Sequence, residues 1–424
     1  MLYRPSLVSS TTRSPVRSLV QKLFGSEGFD PLDLNPYLLF DAQTSMIGTL
    51  ENPTLDLNPA TPSTLDVITA TRAGTATFTD ANGLIATAPA NTVRVDYVDS
   101  VPMILVEPSA TNLLPYSEDF SNAAWTKFGG GTGVAPTVTP NYGTSPDGTV
   151  NASRVQFNKG SGTGYTNMSV VYDSASTSSG ATTAKSVYLK SNTTEAYEMV
   201  IYEVTDASGT NVKKITVTPD WQRFDVYGAI SSTTTGIAIG LREINVSGLS
   251  NTADVLVWGA QVETGSVATS YIPTSGSTST RAADDLVITG SAFSDFYNQS
   301  EGTIYFEAQK RDAGSIYNFT IGDGTTSNRI PVEHNFVSVT RGGTGQAPTS
   351  ITLPNNQIYR LALTLKNNDS KVSVNGGNEV NVASPTLPTS TGITLGGRQD
   401  DSNAQKLNGH IKRLIYWPYH SDSL

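Results

Sequence analysis

Short runs of alternating apolar and polar residues, separated by stretches rich in Gly, Ser, Thr, Asn and Pro, most limit what this chain can fold into. In one run Val93, Val95 and Tyr97 alternate with Arg94 and Asp96, which places one face of a β-strand in a core and the other in water. The pattern recurs at residues 186–190 (SVYLK), 212–218 (VKKITVT), 221–227 (WQRFDVY), 236–241 (GIAIGL) and 255–263 (VLVWGAQVE). This spacing favours a β-sandwich of jelly-roll type.

A second group of strand patterns follows residue 300 and predicts a second sandwich. It comprises residues 302–309 (GTIYFEAQ), 359–365 (YRLALTL), 371–377 (KVSVNGG), 392–397 (GITLGG) and 407–418 (LNGHIKRLIYWP). The long gaps between strands argue against a β-helix or a β-spiral shaft. The predicted fold class is therefore all-β, with two β-sandwich (jelly-roll) domains in tandem, preceded by an extended N-terminal arm that carries one short helix.

The first 30 residues form a basic arm on an acidic protein, because Arg4, Arg13, Arg17 and Lys22 all precede the first acid, Glu27. A helix is predicted over residues 15–24, with Ser14 as its cap, Pro15 at its first position and Gly25 after its end. Since so short a helix is marginal in water, it needs a surface to dock on, either elsewhere in this chain or in a larger assembly. The candidate anchoring residues are Arg13, Arg17, Leu19, Val20, Leu23 and Phe24.

Composition shifts divide the chain into four parts. Residues 1–70 are assigned to the extended arm, because Asn-Pro and Asp-Pro steps over residues 30–66 favour an irregular strap. Residues 71–124 are assigned to a strand-rich connecting segment. Residues 125–280 form the first sandwich, which ends in the Ser/Thr-rich linker Tyr271–Arg281, and residues 281–424 form the second.

Charge and composition argue against several classes of protein. The 424-residue chain has a net charge of -10 and a pI near 4.8, so it lacks the positive surface that nucleic-acid binding requires. It contains no cysteine, which excludes disulfides and thiolate metal sites. No apolar run approaches the roughly 20 residues of a membrane span, and residues 1–19 lack the apolar core of a signal peptide. We therefore expect neither nucleic-acid binding nor membrane insertion.

Residues with catalytic potential are few, and we expect no enzyme activity. The three histidines, His334, His410 and His420, are dispersed, which disfavours a metal centre or a His-based triad. The glycine runs lack the Lys-Ser/Thr ending of a phosphate loop. No catalytic residue, metal ligand or cofactor is assigned. Core packing is the expected role of Trp221, Trp258 and Trp417 rather than sugar stacking.

One polar loop is a candidate glycan-binding site. Arg398, Asp400 and Asp401 lie in RQDDSN beside the end of a predicted strand. An arginine fork and two carboxylates can hold sugar hydroxyls or a calcium ion, whereas a plain solvated turn explains the same residues.

Three segments resemble known families. The run from Arg72 through RAGTATFTDANGLIATAPANTVRVDY to ILVEPSATNLLPYSEDFSNAAW resembles a module of tailed-bacteriophage structural proteins. Residues 257–284, VWGAQVETGSVATSYIPTSGSTSTRAAD, resemble the closing strand and linker that accompany that module around a carbohydrate-binding-module-like jelly roll. The strands after residue 300 are similar to a concanavalin-like or laminin-G-like sandwich.

The resemblance implies a fibre or appendage of a bacteriophage particle. Its arm would bind other virion proteins (portal, tail, capsid or adaptor), and its sandwiches would bind host-surface polysaccharide. A homotrimer is the expected assembly, located at the virion surface after synthesis in the bacterial cytoplasm. A capsid-decoration or tail-adaptor subunit without receptor binding is one alternative, and a polysaccharide depolymerase is the other. Calcium is compatible with a laminin-G-like domain but has no support from particular residues.

Overall fold

The computed structural model of the chain describes residues 52–205, 209–311, 314, 316–382, 386–398, 405–422 and 424. The predicted helix over residues 15–24 and the candidate anchoring residues lie outside these ranges. So do Asp400 and Asp401. The described residues confirm the expected all-β fold, because strands dominate and the helical elements are one 3-10 turn, η1 (Pro62–Leu65), and one short helix, α1 (Ser291–Ser294).

The strands fall into three groups along the chain. The first group is β1 (Leu55–Leu57), β2 (Thr69–Thr71), β3 (Ala76–Thr79), β4 (Ile85–Ala88), β5 (Arg94–Val98), β6 (Val101–Val106) and β7 (Ala110–Asn112). The second group is β8 (Thr126–Gly130), β9 (Val134–Gly143), β10 (Ala152–Asn158), β11 (Met168–Ser176), β12 (Thr182–Ser191), β13 (Tyr197–Glu203), β14 (Val212–Val217), β15 (Gln222–Ala229), β16 (Thr234–Arg242) and β17 (Thr252–Thr264).

The third group begins after residue 278. Its members are β18 (Ser279–Arg281), β19 (Asp285–Thr289), β20 (Glu301–Lys310), β21 (Tyr317–Gly322), β22 (Arg329–Glu333), β23 (Phe336–Val337), β24 (Thr340–Arg341), β25 (Thr344–Gly345), β26 (Thr349–Ser350), β27 (Ile358–Lys366), β28 (Ser370–Val374), β29 (Val380–Val382), β30 (Gly392–Leu395) and β31 (Gly409–Trp417). The strands predicted from alternation in the second and third groups are all present.

The second group of strands forms one sandwich, which we call the jelly-roll sandwich. Among the described residues its two sheets have the orders β15-β12-β17-β10-β9 and β14-β13-β16-β11-β8. Every pairing within them is antiparallel. Alternate residues of both sheets, such as Val155, Val187 and Ile239, are fully buried between them. Burial of this apolar surface, at about 25 cal/mol per Å2, is the main source of stability in such a sandwich.

A second sandwich, which we call the terminal sandwich, combines strands from both ends of the described chain. Its larger described sheet contains β2, β19, β30, β21, β22, β23 and β26 in this order, with β24 and β25 attached at β22. The other sheet has the order β29-β28-β27-β20-β31-β6-β5. The strand β31 is long enough to pair with β6 along its first half and with β1 along its second half. Leu57, Ile104 and Val106 therefore share one core with Phe306, Leu361 and Leu414.

Residues 52–106 thus differ from the arm and connecting segment expected from the sequence. Their described part supplies strands to the terminal sandwich, and the jelly-roll sandwich is inserted between the two parts of that sandwich. The sequence concealed this arrangement because β1 is only three residues long and pairs with a strand at the other end of the chain, Leu55 facing Tyr416. Propensity rules are sensitive to local pattern and not to such distant pairing.

Candidate functional site

Two chain segments cross between the sandwiches, and they pair with each other. In the first, β6 is followed by β7, and in the second, β17 is followed by β18. Strands β7 and β18 form an antiparallel ribbon in which Ala110 faces Arg281 and Asn112 faces Ser279. The Tyr271–Arg281 segment does connect the sandwiches, as a linker would, but Tyr271, Ile272 and Arg281 are buried. Both crossings are therefore ordered parts of the fold.

Five charged side chains converge beside these crossings, and we call them the junction cluster: Arg72, Arg94, Glu107, Arg281 and Asp284. The side chains of Arg94 and Glu107 are fully buried, and Arg94 Nη2 lies 2.9 Å from Glu107 Oε2. Arg94 also pairs with Asp284, which Arg72 contacts at 2.9 Å. Arg281 Nη2 lies 3.5 Å from Glu107. Three arginines and two carboxylates thus form one continuous buried network.

Hydrogen bonds from both sandwiches and both crossings complete the junction cluster. Ser270, which precedes the second crossing, donates to Glu107 through its backbone N–H (2.7 Å) and its hydroxyl (2.6 Å). Glu107 N–H donates to Asp284 Oδ2 at 2.9 Å, and Asp284 N–H donates to the Glu107 carbonyl at 3.0 Å. Arg94 donates to the Thr77 carbonyl at 2.8 Å. A buried ion pair stabilises a fold only when such additional bonds satisfy its remaining polar atoms.

The pKa of Glu107 results from two opposing effects, burial and the positive charges of the junction cluster. Burial alone raises the pKa of a carboxyl group, because it disfavours the charged form. The charges of Arg281 and Arg94 and the hydrogen bond from Ser270 outweigh burial, and they hold the pKa of Glu107 far below its ordinary value of 4.5. Glu107 is therefore a carboxylate across the physiological pH range, as its arginine partners require.

Asn112 ties the two crossings to the jelly-roll sandwich. Its buried amide donates to the carbonyls of Ala260 (3.1 Å) and Ile272 (2.9 Å). Its side-chain oxygen accepts from the backbone N–H groups of Leu114 (3.2 Å) and Val262 (3.1 Å). All four hydrogen-bonding positions of the amide are used. Asn112 thus holds both crossings and β17 in one register.

Tyr271 extends this framework from the second crossing into the jelly-roll sandwich. Its ring centroid lies 4.5 Å from that of the buried Trp258. Its hydroxyl is within hydrogen-bond distance of Ser117 Oγ (2.7 Å) and donates to Glu118 Oε1 (2.8 Å). Its carbonyl accepts a hydrogen bond from the Thr77 hydroxyl at 2.5 Å. Because Thr77 belongs to β3, this bond links the second crossing to the β3–β4 hairpin. Burial raises the pKa of Tyr271 well above its ordinary value of 10.0, so the hydroxyl stays protonated.

The residues of this junction come from the two sequence segments that carried the resemblance to phage structural proteins. Arg72, Arg94, Glu107 and Asn112 lie in the first, and Arg281 and Asp284 lie in residues 257–284. Sequence reasoning treated them as a signature and did not identify the cluster. A partial signal was present, because charged residues make up only 15% of the chain and Arg94 stands inside a strand pattern. Only the folded structure shows which of these charged residues pair with each other.

A second surface with binding chemistry lies on the jelly-roll sandwich, and we call it the aromatic face: Phe128, Tyr165, Tyr172, Tyr202 and Arg242. All but Tyr165 belong to strands of the β14-β13-β16-β11-β8 sheet, on its outer side, where the apolar side chains form a cluster separate from the inter-sheet core. Phe128 and Tyr165 are 46% and 61% exposed, respectively. The cluster therefore carries large apolar rings that contact water.

The register of the strands sets the spacing of the tyrosines on the aromatic face. Tyr172 and Tyr202 both face Ala238, from opposite sides. Two strand spacings separate them, about 10 Å, with only a methyl group between. Arg242 Cζ lies 5.5 Å from the centre of the Tyr202 ring, and its Nε donates to the Tyr165 carbonyl at 3.3 Å. Tyr202 and Ala238 are buried, so the part of the aromatic face that contacts water consists of Phe128, Tyr165 and the half-buried Tyr172 and Arg242.

The predicted glycan-binding loop is only partly described. Arg398 is half-buried, and its Cζ lies 5.7 Å from the centre of the Tyr317 ring. Asp400 and Asp401 lie outside the described residues, so the grouping of the three stays a prediction. Among the tryptophans, Trp258 and Trp417 are buried as expected, and Trp221 is half-buried with its indole N–H donated to the Thr144 carbonyl.

The histidines do not converge on a metal centre within the described residues, where no group of three His, Cys, Asp or Glu side chains is placed to hold an ion. His410 Nε2 lies 2.8 Å from Asp96 Oδ2. Burial alone raises the pKa of Asp96, but the hydrogen bond and charge of His410 outweigh it and lower that pKa below its ordinary value. In the same ranges, no helix is both long and apolar enough to span a bilayer.

Comparison with known proteins yields similarity of fold only. No family model and no curated protein sequence matches the chain. A tandem CBM22 domain of Xyn10C from Paenibacillus barcinonensis is 11% identical, with a TM-score of 0.26 over 73% of this chain and 98% of that chain. Domain 4 of an extracellular arabinanase from Geobacillus stearothermophilus is 12% identical, with a TM-score of 0.27 over 32% and 68%.

Domains LG4-5 of the mouse laminin α1 chain are 11% identical, with a TM-score of 0.21 over 57% of this chain and 82% of that chain. The neighbours thus include a carbohydrate-binding module and laminin G domains. At these scores nothing about their ligands is transferred to this chain. The resemblance to a phage structural protein stays a prediction from the sequence.

Proposed function

We propose that the protein is a non-enzymatic appendage of a bacteriophage particle that binds host-surface glycans through its jelly-roll sandwich. The assignment to a particle rests on the sequence segments around Glu107 and Tyr271 that resemble phage structural proteins. The assignment of glycan binding rests on one observation, the aromatic face. Because sugar rings present C–H groups on their flat sides, they stack on exposed aromatic rings, and arginine donates to their hydroxyls.

The junction cluster supports this function mechanically. An appendage that binds a surface must transmit force between its attachment point and its binding face. Two crossings, paired as a ribbon and held by buried ion pairs, resist bending more than a single flexible linker does. The buried Glu107 and Asn112 therefore have a structural role in orienting the aromatic face.

The glycan assignment is tested by adhesion of the full-length protein to a panel of bacterial cells and to their purified surface polysaccharides. We expect binding by the natural protein and a loss of at least about tenfold, equivalent to 1.4 kcal/mol, in a Phe128→Ala/Tyr172→Ala variant. Tyr227→Ala is the matched control, since Tyr227 is 58% exposed but belongs to β15 in the other sheet. Equal loss in the control would contradict the assignment.

Two other outcomes favour the alternatives. If the full-length protein adheres to no host envelope, the protein is a structural subunit such as a capsid-decoration or tail-adaptor protein. Release of reducing sugar ends from a host polysaccharide would instead identify a depolymerase.

Attachment to the particle is assigned to the N-terminal arm, and the full-length protein is expected to form a homotrimer, since repeated weak sites gain avidity. Deletion of residues 1–30 should leave both sandwiches folded, measured by circular dichroism, and remove the protein from purified particles. Particles that retain the truncated protein would show that another region provides the attachment.

A further inference from the structure

A small polar cavity lies between the two sandwiches, next to the junction cluster, with a volume of about 60 Å3. Tyr188 and Arg223 line it from the jelly-roll sandwich. Asp96, Glu107 and Arg311 line it from the terminal sandwich. Tyr188, Arg223 and Arg311 are half-buried, so the cavity reaches the surface. Its size suits a group of a few non-hydrogen atoms.

Within the part of the chain that the structure describes, two arginines of this cavity, Arg223 and Arg311, have no carboxylate within salt-bridge distance. Arg223 donates from Nη2 to Ser186 Oγ at 2.9 Å, and its Cζ lies 5.4 Å from the centre of the Tyr188 ring. Its buried Nε has no hydrogen-bond partner. Within the described residues, the side chain of Arg311 forms no hydrogen bond or ion pair. A buried donor without an acceptor, such as Arg223 Nε, is costly, and two guanidinium groups at the mouth of one polar cavity favour a bound anion.

The two acids that line the cavity, Glu107 and Asp96, already have other hydrogen-bond and ion-pair partners. Glu107 is paired with Arg94 and accepts two hydrogen bonds from Ser270. Asp96 accepts from the Thr79 N–H at 2.5 Å and contacts His410. The charge of Arg311 contributes to the low pKa of Glu107, after those of Arg281 and Arg94, but neither acid lies within salt-bridge distance of Arg223 or Arg311 among the described residues.

The charge balance around the cavity is positive, in contrast to the acidic protein as a whole. Together the cavity and the junction cluster contain five arginines (72, 94, 223, 281 and 311) and three carboxylates (96, 107 and 284). Arginines still outnumber carboxylates when Glu263, which the charge of Arg223 also reaches, is included. A positive recess in a chain of net charge -10 concentrates anions locally.

We propose that this cavity binds a carboxylate group, presented by an acidic sugar residue, between Arg223 and Arg311. The planar guanidinium groups suit a carboxylate, because each can donate two parallel hydrogen bonds. The hydroxyl of Tyr188 adds a donor on the same wall. Phe78 and Ile85 of the β3–β4 hairpin line the cavity as well and provide apolar contact for the sugar ring.

The probe is sodium glucuronate, titrated calorimetrically into the full-length protein, with methyl glucoside as the neutral comparison. We expect glucuronate to bind and methyl glucoside not to bind. Arg311→Gln and Arg223→Gln should each lower the affinity for glucuronate at least about tenfold. The control is Arg341→Gln, since Arg341 is exposed on β24 and lies outside the cavity; it should leave the affinity unchanged.

A second titration, with inorganic phosphate, distinguishes a free phosphate from a sugar carboxylate as the anion that binds in the cavity. If phosphate binds and glucuronate does not, the sugar-acid assignment is wrong. If neither probe binds, the assignment is wrong as well. Unchanged glucuronate affinity in both arginine variants would also overturn it. Because Arg223 also stacks on Tyr188, Tyr188→Phe provides a second variant that keeps the ring. It should weaken glucuronate binding while the thermal unfolding midpoint stays within a few degrees.

This site is independent of the aromatic face. Tyr188 and Arg223 belong to the β15-β12-β17-β10-β9 sheet, whereas the strands of the aromatic face belong to the other sheet of the jelly-roll sandwich. Unchanged cell adhesion in the Phe128→Ala/Tyr172→Ala variant, with glucuronate still bound, would therefore contradict the aromatic face alone. Loss of adhesion in that variant without any binding of glucuronate by the natural protein would contradict the cavity alone.

Discussion

Arg94 and Glu107 form an ion pair of 2.9 Å in which neither side chain has contact with water, although they lie where two sandwiches of the same chain meet. Most ion pairs on protein surfaces contribute about 0–1 kcal/mol to stability. A pair in this position is different, because hydrogen bonds from Ser270 to Glu107 and from Arg94 to the Thr77 carbonyl replace most of the lost water, although Arg94 Nε has no partner.

Removal of one member of the pair should strongly destabilise the protein. Arg94→Met leaves Glu107 buried with one fewer positive charge, and breaking a buried pair in this way costs about 3–5 kcal/mol. Urea unfolding measures the difference. Asp225→Asn is the control, since it breaks an exposed pair with Lys213 whose side chains are 42% and 48% exposed, and it should cost less than about 1 kcal/mol. Equal effects would mean that the junction cluster contributes no more than a surface pair.

Asn112→Ala should loosen both crossings. It removes four hydrogen bonds and leaves backbone groups of buried segments without partners, each at a cost of about 1–3 kcal/mol. We expect a loss of roughly 3 kcal/mol in the free energy of unfolding and faster proteolysis within residues 106–114 and 271–281. Asn335→Ala, at an exposed asparagine, should change neither quantity. Unchanged proteolysis of the Asn112 variant would show that β7 and β18 hold the crossings without it.

The strands of both sandwiches could be predicted from the sequence, because they depend on local alternation. Tyr359, Leu361, Leu363 and Leu365 occupy one face of β27, as their spacing requires, and all four are buried. Leu114, Phe120 and Trp125, which precede the first strand of the jelly-roll sandwich, also pack in its core.

The junction cluster could not be predicted in the same way. Arg72 and Asp284 are 212 residues apart, and no local pattern states that they meet. The short strand β1 was concealed for the same reason, since its partner is β31. A single sequence provides propensity and periodicity, but the pairing of distant strands depends on the total energy of the fold. Arg94, a charged residue within a strand pattern, was the only local signal of the cluster.

Glu107 should make the free energy of unfolding depend on pH at pH values below 4.5, the ordinary pKa of this group. Its folded-state pKa lies below the value of 4.5 expected in the unfolded chain, so the unfolded state binds the proton first as the pH falls. The contribution of Glu107 is therefore complete above about pH 4.5 and decreases as the pH falls from there toward the folded-state pKa. Urea unfolding at pH 7, 4.5 and 3 measures it.

Glu107→Gln provides the comparison for this pH series. The difference in unfolding free energy between the natural protein and Glu107→Gln should be largest at pH 7 and smaller at pH 3. A difference that is constant over the series would mean that Glu107 has the same pKa in both states.

A second buried pair lies inside the jelly-roll sandwich and allows a test of charge against packing. Lys185 Nζ lies 2.6 Å from Glu203 Oε2, and both side chains are fully buried. Lys185→Met should cost about 3–5 kcal/mol, because it leaves Glu203 unpaired. The double variant Lys185→Met/Glu203→Leu should recover part of this loss, because it removes the unpaired charge but leaves the Gly236 N–H and the Thr235 hydroxyl without their acceptor. Urea unfolding of the natural protein, the two single variants Lys185→Met and Glu203→Leu, and the double variant gives the coupling energy, and additive losses would contradict this account.

The insertion of the jelly-roll sandwich predicts that residues 282–424 do not fold alone. That fragment lacks β1 and β6, so the edge of β31 that they cover would be exposed, and Leu57, Ile104 and Val106 would be missing from the core. Exposed strand edges and apolar core surface promote aggregation.

We expect the fragment to be aggregated or unfolded in circular dichroism and size-exclusion chromatography. Residues 52–424 should give a cooperative transition under the same conditions. A protein that joins residues 52–112 to residues 279–424 through a short Gly/Ser linker should also fold, since β7 and β18 bring these ends together. Cooperative unfolding of residues 282–424 alone would show that the N-terminal strands are accessory to the terminal sandwich.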